Sequence, residues 1–386
     1  MPDAPSCGEG WIPIARGALD VRGSDTFLPE AAILLVPAQP GPALCLTGDG
    51  ARLWQRLVDM APASPADFSS AENDLLDTLR DAGLVTFALD HPAAIKRVPT
   101  PVLSSPLHEL TYALVQGVAE SAGISCIFVK GPALHHQGLR EREHSGDVDV
   151  WCEPSRWEDL ATALEPWGWV RELDPWRGSS IHHSTTMLPL SWGCEVDIHR
   201  RFPGLTLDDP RAFDAISKHS APVVYAGVEI AVPGRDAHAV IAALHAVRPA
   251  VGHRVGEHEH RTARDLLAGA AGSLDAAHEL GAVAALRLDL AATFPGVDLG
   301  PDEGTPRDWW HRAQPDRARA YMSALRTLPL LERIRAAYAL LWPADDIALA
   351  SARRAGEATS HAGRARRRRL IRGIRSLLNG RRRRER

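Results

Sequence analysis

Lysine is almost missing from this chain. Of its 44 cationic residues only Lys96, Lys130 and Lys218 are lysines. Arginine content alone therefore carries little weight, and each lysine stands out. Cysteine is sparse as well: positions 7, 45, 126, 152 and 194 are scattered singly, with no CxxC pair. That excludes a zinc ribbon and a disulfide framework, and a reduced, cytoplasmic setting is expected. His253, His258 and His260 have neither an HExxH pattern nor a cysteine partner, so zinc is not expected there. Long apolar runs are absent too. Stretches such as Ala31–Val36 are strand length, far short of the roughly 18 residues that a membrane-crossing helix needs. Met1-Pro2-Asp3 opens without a charged or apolar leader, so no signal peptide is expected. No internal repeat is visible.

What is present is an uneven distribution of charge. The formal net charge is −4, from 44 Lys+Arg and 48 Asp+Glu. The stretch Arg364 to Arg386 holds 12 arginines and one glutamate, or +11, leaving 32 cations against 47 acids, or −15, in the rest. An acidic body with a basic tail is a different object from a neutral globule.

Periodicity divides the chain. Residues 1–90 read as a small winged-helix-like module. Strands at Ala32–Val36 and Ala43–Leu46 are split by a proline-rich turn. Helices run through Leu53, Trp54, Leu57 and Val58 and through Leu75, Leu76 and Leu79, and Leu84–Phe87 returns as a strand. Residues 91–105 read as a proline-rich linker. From 106 to 235 the pattern alternates: a helix at Leu107–Ser121, a strand at Ile124–Val129, a short helix from Gly131 to Leu139, a strand at Asp147–Cys152 and a helix at Trp157–Leu164. Strands at Trp169–Leu173, Thr185–Leu190 and Cys194–His199 follow, then a hairpin turning at Ala226-Gly227. Residues 236–355 read as helices and 356–386 as a basic tail, disordered or amphipathic. The expected fold class is α/β of the α+β kind, a small mixed-sheet core followed by a helical domain.

Three motifs carry chemistry: Val129-Lys130-Gly131-Pro132, Ser145-Gly146-Asp147-Val148-Asp149-Val150 and Cys194-Glu195-Val196-Asp197-Ile198-His199. Period two puts Asp147 and Asp149 on one face of a strand, with Val148 and Val150 in the core. Adjacent carboxylates stay charged cheaply only around a cation. Oxygen ligands suit Mg²⁺, held together with substrate phosphates. Asp197, on a later strand, is a candidate third ligand, giving the pattern of a two-metal phosphoryl- or nucleotidyl-transfer site. His199 falls on the same strand face as Asp197, near the metals. Lys130 is a candidate phosphate contact, with Ser145 and Arg142 as lesser ones.

Together these motifs resemble the uncharacterised bacterial nucleotidyltransferases of the polymerase-beta superfamily, over about residues 105 to 290. The resemblance implies that Asp147 and Asp149 bind Mg²⁺, two ions in all, and that Asp197 completes the site, as base for the acceptor hydroxyl. It also implies that the turn at Gly131 cradles the triphosphate of ATP or another nucleoside triphosphate. Pro132 departs from the superfamily pattern, where a glycine or a hydroxyl-bearing serine contacts phosphate; proline supplies no donor.

Residues 10 to 90, through Leu46-Thr47-Gly48, Ala51-Arg52-Leu53-Trp54 and Leu79-Arg80-Asp81-Ala82-Gly83-Leu84-Val85, resemble the peptide-binding domain of the pyrroloquinoline-quinone synthesis D type. That resemblance implies leader-peptide binding by strand addition, and a place in modified-peptide biosynthesis. In the tail, Leu370, Ile371, Ile374, Leu377 and Leu378 recur at helical spacing among arginines, a pattern that suits an anionic membrane or RNA. The expected function is Mg²⁺-dependent transfer of a nucleoside monophosphate to an acceptor hydroxyl on a peptide, small molecule or sugar. Two alternatives stay open: a non-catalytic peptide-binding adaptor on a relic transferase fold, and a toxin-like transferase acting on tRNA.

Overall fold

A computed structural model describes residues 10–24, 30–143, 145–174 and 176–382. Cys7, the Met1-Pro2-Asp3 start and the last four residues of the tail lie outside them, as do the side chains of Ile374, Leu377 and Leu378. The chain forms two compact units. The first takes in residues through Arg171, then Thr186–Arg200 and Asp209–His238; the second takes in Glu172–Thr185, Arg201–Asp208 and the chain from Ala239.

In the first unit, β1 (Ile12–Pro13), β2 (Gly17–Asp20), β3 (Ala31–Val36) and β4 (Leu44–Thr47) precede α1 (Gly48–Met60), α2 (Ser70–Asp81) and β5 (Val85–Thr86). Strands β2, β3 and β4 form an antiparallel sheet, and β1 pairs with β5. The core follows: α3 (Pro106–Ser121), β6 (Cys126–Val129), α4 (Gly131–His136), β7 (Asp147–Cys152), α5 (Trp157–Leu164), β8 (Trp169–Arg171), β9 (Ser184–Pro189) and β10 (Glu195–His199). Next come α6 (Asp209–Lys218), the hairpin β11 (Ser220–Tyr225) and β12 (Val228–Pro233), and α7 (Arg235–Val247), of which the residues from Ala239 belong to the second unit. The central sheet has the order β6-β7-β10-β9-β8 and is mixed: β7 runs parallel to β10 and antiparallel to β6. The expected mixed α/β class is what the chain adopts.

Helix α3 explains much of this unit. Leu110, Ala113, Leu114, Val115 and Val118 are all buried, so the helix is apolar almost all round and lies in the interior. Val148, Val150, Val196 and Ile198 share one hydrophobic cluster with it. So do Leu19, Leu34 and Val36 of the N-terminal sheet. Gly17 permits that approach, since a Cβ there would stand 2.9 Å from the Ala113 Cβ. The proline-rich stretch after β5 is pinned down rather than loose. Buried Glu109 of α3 accepts the backbone N–H groups of Val102 (2.8 Å), Leu103 (3.0 Å) and, on the hairpin turn, Ala226 (2.8 Å). Asp20 N–H also bonds Pro99 O at 2.8 Å. One carboxylate thus ties linker, hairpin and helix together.

The second unit is helical: α8 (Glu257–Ala268), α9 (Ser273–Glu279), α10 (Val283–Thr293), α11 (Arg317–Thr327), α12 (Leu330–Leu341), α13 (Asp345–Arg354) and α14 (Ala362–Arg382). The basic tail is therefore helical from Ala362 to Arg382. Among the described residues, no helix is long and apolar enough to cross a membrane.

Candidate active site

The site is built on register. In the parallel pair, Asp149 of β7 stands opposite Asp197 of β10, Asp147 opposite Glu195 and Trp151 opposite His199. Alternation sends Val148, Val150, Val196 and Ile198 to the core cluster and the acidic residues to the other face. One ligand atom each from Asp149, Asp197 and His199 lies within 4.8 Å of the others.

Asp149 is the electrostatic centre. It is 2% exposed. Its Oδ1 accepts from the Lys130 Nζ at 2.5 Å and contacts the His199 Nε2 at 2.8 Å. Burial alone would raise its pKa; the His199 hydrogen bond and the Lys130 charge win, and hold it well below the usual carboxylate range. Asp147 behaves in the opposite way. Burial, then the neighbouring Asp149 charge, pushes its pKa up, while a 2.9 Å hydrogen bond from the Ser145 hydroxyl works against that rise. The Asp197 Oδ1 is buried without a hydrogen-bond partner. A buried carboxylate oxygen left bare is costly. Placed within reach of Asp149 and His199, it makes a donor set that suits a divalent cation. The group holds two of the three carboxylates expected from sequence, Asp149 and Asp197, and brings His199 beside them.

Lys130 reaches Asp149 from an unusual backbone. It sits at φ 61°, ψ −142°, and Gly131 follows at φ 53°. A lysine with positive φ persists only where its surroundings hold it. Three groups hold this turn. The Lys130 N–H donates to the His238 Nε2 at 2.6 Å, from α7. His238 in turn contacts the Gln137 Oε1 through Nδ1 at 2.7 Å, and Gln137 donates to Pro233 O at 2.8 Å. Since a backbone N–H can only donate, Nδ1 carries the imidazole proton. Burial, then the nearby Arg140 charge, pushes the His238 pKa down to about 3. Arg140 donates to Gly131 O and Glu143 O, each at 2.9 Å. Tyr112, buried among Phe128, Tyr225 and His108, closes the turn from below; a Cβ on Gly131 would lie 2.5 Å from its hydroxyl.

Lys130, Ser145, Asp147, Asp149, Asp197 and His199 are therefore brought to one face or one turn. Arg142 is not: its side chain is exposed, and Arg140, two residues earlier, enters the turn. Sequence reasoning missed Arg140, Tyr112 and His238. No motif marks them; the Lys130–His238 contact joins residues 108 apart in the chain.

Residues 107–277 match the model of a family described as uncharacterised nucleotidyltransferase. The stretch contains every candidate residue named above. No curated protein matches the chain. Several solved structures are similar at low identity, two of which follow. The lincosamide antibiotic adenylyltransferase LnuA, with lincomycin bound, is 17% identical, covering 43% of this chain and 98% of its own, with a TM-score of 0.28. An antigenic nucleotidyltransferase-like protein from Paracoccidioides brasiliensis is 14% identical, covering 55% of this chain and 100% of its own, with a TM-score of 0.33.

Proposed function

We propose that the chain is a divalent-metal-dependent nucleotidyltransferase, with Mg²⁺ as its ion. It moves a nucleoside monophosphate from a nucleoside triphosphate to an acceptor hydroxyl. The observation that carries this reading is the register pair Asp149–Asp197 with His199 beside it and one buried carboxylate oxygen left bare. In the reaction the acceptor oxygen bonds the α-phosphorus, the bond from that phosphorus to the bridging oxygen breaks, and pyrophosphate leaves. The hydroxyl proton passes to the Asp197 carboxylate.

Asp149, Asp197 and His199 would hold the ion, with Asp147 as the further carboxylate next to the triphosphate. Such an ion, when bound, offsets phosphate charge and makes the acceptor hydroxyl easier to deprotonate. Asp149 is suited to its role because Lys130 and His199 keep it ionised at any ordinary pH. Lys130 is suited to meeting phosphate, because its ammonium group already sits at the carboxylates on a braced turn. Ser145 orients Asp147. A peptide is one acceptor class with support: β4 stands at the edge of its sheet with Cys45 and Thr47 exposed, and an edge strand can take an added strand.

The test is transfer of label from α-labelled triphosphates, with Mg²⁺, to hydroxyl-bearing peptides, sugars and small molecules. Label should move to one acceptor class, and Asp149→Asn and Asp197→Asn should abolish transfer while the circular dichroism is retained. Full transfer by both variants would overturn the assignment.

A further inference from the structure

Within the second unit, two arginines stand without acids to balance them. The segment Arg201–Asp208 packs on the stretch before α11. The Gly204 N–H donates to the Asp308 carboxylate at 3.0 Å, and a Cβ on Gly204 would lie 2.9 Å from the Trp309 ring. His183 joins the two stretches. Its carbonyl oxygen accepts the Arg201 N–H at 3.4 Å, and its Nε2 accepts from the Arg312 guanidinium at 3.1 Å. Among the described residues, neither the Arg201 nor the Arg312 guanidinium forms an ion pair, and the Nε of each is buried without a partner. The Nδ1 of His311, next to Arg312 in the chain, is buried and unpartnered too. The acids that face the cluster are already engaged: Asp308 holds Gly204, and Asp174 stands 3.7 Å from the His182 Nε2. Burial, then the charge of Arg248, pushes the Arg312 pKa down to about 10. Burial, then the charges of Arg312 and Arg201, pushes His311 down to about 4. A pocket of about 440 Å³ opens beside them, lined by half-buried Arg201 and Asp308 and by exposed Glu303 and Arg307. A partly buried charge without a counter-charge is costly, and an anion entering here would remove that cost.

We propose that Arg201 and Arg312, with His311 beside them, form a binding site for a phosphate group. Arginine itself is no clue in a chain so rich in it; the missing acids carry the argument. A guanidinium presents a planar fork of N–H donors that fits phosphate oxygens in pairs. Two forks ask for more acceptors than one carboxylate supplies, since a single fork already occupies both of its oxygens. A phosphate group has oxygen left for the second arginine. His311 is neutral at ordinary pH and adds a polar ring without adding charge. The terminal phosphates of a nucleoside triphosphate and the phosphate of a phosphorylated acceptor share this chemistry. The proposal does not depend on nucleotidyl transfer.

The experiment is calorimetric titration of the full chain with inorganic pyrophosphate, in a chloride buffer with a chelator so that no metal links the anion to the carboxylates. Pyrophosphate should bind and raise the melting temperature. Arg201→Gln and Arg312→Gln should each weaken binding by about 10-fold or more. Arg254→Gln, at an exposed arginine of the same unit, should leave it unchanged. Without ligand, Arg312→Gln should not lower the melting temperature, because it removes a charge that has no counter-charge. Should that variant melt earlier, Arg201→Gln decides by the same binding criterion. Displacement of pyrophosphate by a nucleoside triphosphate would assign the site to the nucleotide, and displacement by a sugar phosphate to a phosphorylated acceptor. Any of four results would overturn the proposal: no pyrophosphate binding, binding that neither Arg201→Gln nor Arg312→Gln weakens, an equal loss in Arg254→Gln, or succinate binding as tightly as pyrophosphate.

Discussion

Lys130 is one of three lysines in the chain, and the structure gives it a post that arginine would fill poorly. Its compact ammonium reaches the Asp149 Oδ1 from a backbone at φ 61°. Guanidinium is planar and broader, so the two cations are not interchangeable at a site this close. Lys130→Ala should lower kcat/KM for nucleotidyl transfer by about 10²- to 10³-fold, the usual cost of removing one preorganised electrostatic contact. Lys130→Arg should fail to restore it, and steady-state kinetics with the three proteins checks both points. His238 makes a second residue-scale prediction. Its folded pKa, about 3, lies below its ordinary 6.5, so it is neutral in the fold and binds a proton more readily when unfolded. The stability it contributes is complete above pH 6.5 and is lost as pH falls from there toward 3. His311, pushed down to about 4 by burial, adds a loss of the same sign. Melting temperatures across that range should fall less steeply in His238→Gln than in the wild type.

At the scale of elements, the turn between β6 and α4 joins a backbone requirement to a packing one. Gly131→Ala meets both the positive φ and the Tyr112 hydroxyl, so the turn should shift and transfer should fall sharply. Tyr112→Phe removes the hydroxyl but not the φ penalty, about 1–2 kcal/mol. The double variant should therefore recover part of the activity lost in Gly131→Ala, and a double-mutant cycle on kcat/KM measures how much. Glu109 plays a structural part of similar reach: Glu109→Ala leaves three backbone N–H groups without their carboxylate. Urea unfolding should show a loss of about 2–4 kcal/mol. Element by element, the sequence was readable where side-chain pattern and backbone agree. Strand β7 alternates valine with aspartate, and the hairpin turns at Ala226-Gly227 as its glycine suggests. Strand β2 was not readable, because Gly-Ala-Leu-Asp has no β-branched residue and takes its place by packing on α3. Helix α6 was hidden by Pro210, which tolerates a helix first turn as readily as it breaks one.

For the whole molecule, legibility stops at contacts distant in sequence. The carboxylates of the candidate site were visible because each sits in a local motif. The braces on Lys130 were not, because His238 and Tyr112 belong to other elements and read locally as packing residues. The tail was visible as charge, and the lack of acids around Arg201 and Arg312 among the described residues was not, since a missing counter-charge depends on what the fold brings near. The division into an acidic body and a basic tail now has a physical sense: the body's acids include buried Asp149 and half-buried Asp197, side by side on adjoining strands, and arginines of the tail lie on a separate helix. The most direct test of the central claim is calorimetric titration of a non-hydrolysable nucleoside triphosphate with Mg²⁺ into the wild type, Asp149→Asn and Asp197→Asn. The site described here predicts binding to the wild type that a chelator removes and that each variant weakens by about 10-fold or more. Binding of equal strength in all three proteins, or binding that survives the chelator unchanged, would contradict it.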